Sequence, residues 1–130
     1  MKYHFSKIIK GQNFDKAIDQ VTAKLEQEGF GILTEIDVKE TLKKKIDVDF
    51  NQYKILGACH PEYAYKALKN NNKIGVFLPC NVIVEKGENG DIEVSAVDPV
   101  ASMMAIENEE LGCIANEIRA KLERVIKSLK

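Results

Sequence analysis

The sequence is short of most of the features that mark a specialised protein. Of its 130 residues only three are cysteine, three proline and two histidine, and none is tryptophan. Cys59, Cys80 and Cys113 are odd in number and widely spaced, so no disulfide frame is expected and all three read as thiols. There is no pair of CxxC units and no His-rich tract, which excludes a zinc ribbon. Charge of one sign is lacking too: nineteen Lys and Arg against twenty Asp and Glu leave a formal net charge of -1. With both signs interspersed, no field favours a polyanion or an acidic membrane surface, so neither nucleic acid nor a membrane is read as a partner. No apolar run approaches the roughly 18 residues of a membrane span or forms a signal peptide, and a cytoplasmic location is expected on that ground. Gly29, Gly31 and Gly57 do not make a phosphate loop, because the segment "EGFG" enters a strand instead of opening a helix. Repeats, low-complexity stretches and Pro/Gly-rich linkers are absent. Residues 1–130 read as one domain, long enough to bury roughly two-thirds of its unfolded surface without staples.

What is present is periodicity. "YHFSKIIK" reads as an opening strand, and "FDKAIDQVTAKLEQEG" as a helix with Phe14, Ala17, Ile18, Val21 and Leu25 on one stripe, Asn13 placed to cap it and Gly29 to end it. "FGILTEI" is a second strand. In the short basic helix that follows, Asp37 and Glu40 have capping-box spacing. "YKILGAC" is a third strand, with Pro61 in the first turn of another short helix. "IGVFLPCNVIVEK" and "IEVSAVD" flank Asn89-Gly90, a hairpin signal. Asp98-Pro99 opens a turn or short helix carrying Met103 and Met104. From about Glu109 to Leu129 a long helix keeps Leu111, Ile114, Ile118, Leu122, Val125 and Leu129 on one stripe, with Cys113 roughly opposite. The order β-α-β-β-β-β-α, with two short inserted helices, suits an α+β fold: one antiparallel or mixed sheet with the two longer helices on one face. Its other face must be solvated, covered by the short helices or buried in an oligomer.

Alternation within strands places Tyr53, Ile55, Gly57 and Cys59 together, and Val76, Leu78, Cys80, Val82 and Val84 together, so both thiols are expected on the more apolar faces. Pro79 interrupts the second run and marks an edge or bulge. Three readings stay open: the two thiols, with Met103 or Met104, line a small-ligand or soft-metal pocket; Cys59 is the reactive sulfur of a redox enzyme or sensor; or these residues only pack, in a structural or interaction domain. Glu35, His60 and Asp98 are placed beside the pocket. Glu35 is also explained by solvation and Asp37 by capping, and the Lys43-Lys44-Lys45 run by a solvated helix end.

The segments "EGFGILTEIDVKETLKKK", "YKILGACHP", "AYKAL", "FLPCNVIV" and "SAVDP" together resemble the bacterial domain of unknown function 302 family. The resemblance implies a helix-grip α+β arrangement akin to the TATA-binding-protein-like fold and a homodimer, and it brings no activity with it. Cys59 and Cys80 lie in its two most specific segments, whereas His60 stands where family members often have asparagine.

Overall fold

The computed structural model describes residues 2–130. Along the chain run β1 (His4–Ile9), α1 (Phe14–Gln27), β2 (Gly31–Asp37), α2 (Val38–Ile46), β3 (Tyr53–Cys59), α3 (Pro61–Asn70), a 3-10 helix (Asn72–Phe77), β4 (Cys80–Lys86), β5 (Ile92–Val97), α4 (Pro99–Ser102) and α5 (Glu109–Ser128). This is the α+β order read from the periodicity, with the 3-10 helix as an addition. The strands form one antiparallel sheet of five in the order β1-β5-β4-β3-β2.

Local chemistry explains the element ends. Asn13 Oδ1 accepts from the Lys16 N–H at 2.8 Å, which satisfies one orphan donor at the start of α1. At the far end Gly29 turns left-handed, with φ of +91°, and the chain reverses as the Phe30 N–H bonds the Leu25 carbonyl at 3.0 Å. Asp37 caps α2 through the Glu40 N–H at 3.0 Å, yet Glu40 reaches forward to Lys44 at 2.8 Å. That ion pair replaces the return arm of the capping box. Between β4 and β5, Gly90 has a φ of +86° and Asn89 Oδ1 accepts from the Asp91 N–H at 3.1 Å, which closes the hairpin.

The core lies on one side of the sheet. Phe14, Ala17, Val21 and Leu25 of α1 and Leu111, Ile114, Ile118, Leu122 and Val125 of α5 are buried against Leu56, Val82, Val84, Ile92 and Val94. Each large side chain so buried contributes about 1.5–3 kcal/mol before entropy is charged against it. α3 packs against α5 and the 3-10 helix on this same side, and α2 makes its main contacts with β2 and β3, with no residue of its own fully buried. The other face of the sheet is therefore open. Ile8 on β1 and Ile36 on β2 are 54% and 46% exposed there, and Ile8 stands beside a hydrogen-bonded row in which His4 Nδ1 lies 2.9 Å from Ser6 Oγ and Ser6 Oγ lies 2.8 Å from Ser95 Oγ.

Two strand expectations are corrected. The buried parity of β3 is that of Leu56 and Ala58, each 1% exposed, because they pair with Val82 and Cys80. Tyr53, Ile55 and Gly57 have the open-face parity. The fourth strand begins only at Cys80: Asn71 Oδ1 accepts from the Lys73 N–H at 3.0 Å and starts the 3-10 helix, which leaves Val76 82% exposed. Cys80, Val82 and Val84 do share the core face, as expected.

Candidate functional site

The segment Tyr53–Pro61 builds the site. β3 stops at Cys59 because Pro61 has no N–H to continue a ladder and opens α3 instead. His60, held extended before the proline at φ -100° and ψ 101°, is the N-cap of α3 but makes no side-chain capping bond. Its ring turns inward and meets Phe30 and Tyr63 edge-on, with centroids 5.4 and 4.7 Å away. Gly29 leaves the room for this: a Cβ there would lie 2.6 Å from His60 Nε2. Within β3, Gly57 leaves room for the neighbouring segments in the same way, since a Cβ on it would run into Thr34 Oγ1 and lie 2.8 Å from Pro79 Cγ.

His60 Nδ1 is buried and finds no hydrogen-bond partner among the described residues. Burial first, and the Lys121 charge second, hold its pKa below the usual histidine value, with Glu62 and the backbone carbonyls of Glu28 and of His60 itself pulling the other way. The imidazole is thus neutral at physiological pH.

Between the ends of β3 and β4 and the helices α3 and α5 lies a cavity of about 40 Å³. Cys59, His60, Cys80 and Met103 contribute to its wall together with aromatic and aliphatic side chains, and no Asp, Glu, Lys or Arg does. The space suits a water or two, or a group of one or two carbons. Burial pushes the Cys80 thiol up to about 11, and the nearby Cys59 adds to this. Burial also raises Cys59. Neither sulfur has the depressed pKa of an activated thiolate.

The two thiols reach this cavity differently from the expectation that they occupy matching apolar faces. Cys80 pairs with Ala58 and so takes the core side, while alternation gives Cys59 the open-face parity. They meet only because β3 ends at Cys59 and the cavity wraps round that end. Met103 packs on the core and lines the cavity, whereas Met104 is 59% exposed and takes no part in it. Glu35 is also elsewhere, bonded to Lys54 Nζ at 2.7 Å on the edge strand. Asp98 is buried for structural reasons: its Oδ1 accepts from the Val100 N–H at 2.9 Å and its Oδ2 sits 3.3 Å from Arg119 Nε. Cys113 is exposed. His60, given only a marginal place by the sequence, is the most unusual group in the wall. Its signal is the His-Pro pair, which forces an N-cap that cannot cap. Among the described residues no group of three or more His, Cys, Asp or Glu converges as a metal site requires, and no helix is long and apolar enough to cross a membrane.

Comparison with known proteins gives a family and no activity. No curated protein matches the chain. Among solved structures, the chain is similar to one described as the crystal structure of uncharacterized conserved protein DUF302 from Bacillus stearothermophilus, with 28% identity, a TM-score of 0.90 and full coverage of both chains. The family model described as Domain of unknown function DUF302 matches residues 5–129. With nearly its whole length matched, the chain belongs to the DUF302 family.

Proposed function

We propose that this protein is a small-ligand-binding domain whose ligand enters the cavity between the end of β3 and the start of β4. One observation carries the reading: an apolar cavity has in its wall an imidazole whose Nδ1 is buried and unpartnered. Leaving such an atom unsatisfied costs about 1–3 kcal/mol, which a ligand carrying a hydrogen-bond donor recovers on binding. A site of this kind, largely apolar with a few convergent polar groups, is the usual form of a small-molecule pocket. The test is an amide NMR titration with ethanol and with xenon, an apolar probe that cannot donate. Both should shift Ala58, Cys80 and Ile114, and His60→Phe should remove the advantage of the alcohol. If neither probe moves those amides in the unmodified protein, the reading fails.

A soft-metal site is the second reading, because Cys59, Cys80 and Met103 border one cavity. It asks two thiols with raised pKa values to lose their protons to the metal. Titration with Cu(I) decides it: uptake that Cys59→Ser and Cys80→Ser each abolish would put the metal ahead of the small molecule. The raised thiols weigh against a redox enzyme or sensor, which needs an accessible thiolate. We also propose self-association through the open sheet face, where Ile8 and Ile36 are exposed.

A further inference from the structure

The inner cavity is not the whole of the space. A second cleft of about 240 Å³ lies outside it, and the two share Leu78, Pro79, Cys80, Pro99 and Met103 as a common wall. The outer cleft opens past Val76 and Phe77, which are 82% and 41% exposed, and is bordered by Asn81 and Ser102. Of the shared wall, Met103 is the part most able to swing aside, being an unbranched side chain just beyond the last turn of α4.

Resting on the binding site proposed above, we infer that the ligand is an uncharged alcohol of two parts. A ring-sized body lies in the outer cleft, and a hydroxyalkyl arm of one or two carbons passes Met103 into the inner cavity, where its hydroxyl donates to His60 Nδ1. Size sets the division. The outer cleft is smaller than the roughly 300–1,000 Å³ of a drug-sized site, and the inner space admits only a short arm. Charge sets the class: neither wall contains Asp, Glu, Lys or Arg, so a carboxylate or ammonium group would give up its hydration with no counter-ion to replace it. The imidazole is the one ionisable nitrogen in reach, and its lowered pKa keeps it neutral. Asn81 and the Ser102 hydroxyl, which already donates to the Pro99 carbonyl at 3.1 Å, leave polar atoms at the mouth for the solvent-facing side of the body.

The experiment is a titration of the full chain, followed by amide NMR, with 2-phenylethanol and its charged analogues phenylacetate and 2-phenylethylamine, and with ethanol as the arm alone. The expected result is that 2-phenylethanol shifts both the inner amides of Cys80 and Ile114 and the outer amides of Phe77 and Ser102. Both charged analogues should bind at least tenfold more weakly, and Ser102→Tyr should weaken 2-phenylethanol while sparing ethanol. Shifts confined to the inner amides overturn the two-part ligand and leave the binding site intact. Shifts confined to the outer amides, with ethanol silent, overturn the binding site as well. Equal affinity for the charged analogues overturns the uncharged class. These arms use the unmodified protein and do not depend on the variant's folding.

Discussion

At the scale of the residue, Gly29 and His60 form one unit although the sequence gives no hint of it. Gly29 ends α1 with φ of +91° and also stands where a Cβ would meet His60 Nε2 at 2.6 Å. Gly29→Ala should therefore lose at least the roughly 1–2 kcal/mol of a left-handed alanine. Urea unfolding of the single and double variants checks it: part of that loss should return in Gly29→Ala/His60→Ala, and strict additivity would mean that the ring and the glycine act separately. His60 also sets a pH dependence. Its folded pKa is lowered, so the unfolded chain binds the proton first as pH falls. Stability from this group is complete above the ordinary histidine value of about 6.5 and declines as pH drops through the interval below it. The urea midpoint of the native protein should fall between pH 7.5 and 5.5 more steeply than that of His60→Phe.

Elements differ in how far the sequence announces them. α1 and α5 are legible because each has one apolar stripe, and α1 also has Asn13 in the capping position, and the hairpin is legible because Asn-Gly occurs between two β-rich runs. The face of β3 is not. Tyr53 and Ile55 compete with Leu56 and Ala58 on equal apolar terms, and only the pairing with Val82 and Cys80 decides between them. The 3-10 helix was hidden for a related reason, since "IGVFLPC" is apolar enough for a strand and Asn71 acts as a cap only in context. The cavity follows the same rule: its two thiols stand out in the sequence, but its imidazole depends on a turn. A contact between elements carries the next prediction. Asn108 caps α5 through the Leu111 N–H at 3.1 Å and also donates to Asn70 Oδ1 at the end of α3, at 2.7 Å. Asn108→Ala should cost about 1 kcal/mol in thermal or urea unfolding. Asn108→Asp keeps the cap, loses the donor and should recover most of it; if it does not, the tie to α3 is the larger share.

Taken whole, the molecule is one-sided. α1, α3 and α5 gather on one face and leave the other to Ile8, Ile36 and half-buried Ile55 and Ile83. Four isoleucines on one sheet face make a natural contact between two copies, and two-fold pairs dominate closed assemblies. Sedimentation at micromolar concentration should show a species heavier than the 14.6 kDa chain, and Ile8→Lys with Ile36→Lys should return it to the monomer. A single species at the monomer mass from the unmodified protein removes this proposal.

The sheet also has two rims, β1 and β2, and the second is guarded by an irregularity. Between Ile32, opposite Ala58, and Thr34, opposite Gly57, the strand carries one extra residue, Leu33, which is 67% exposed. A foreign strand laid along this rim loses register at that point, and the carboxylates of Glu35 and Asp37 lie just beyond it. The irregularity thus works as a stop against polymerisation, placed on the rim that would otherwise template it. Deleting Leu33 should straighten the rim, and thioflavin fluorescence with light scattering should then rise during prolonged incubation at temperatures where the unmodified protein stays clear. If the shortened chain remains folded and clear, protection at this rim rests on the carboxylates alone.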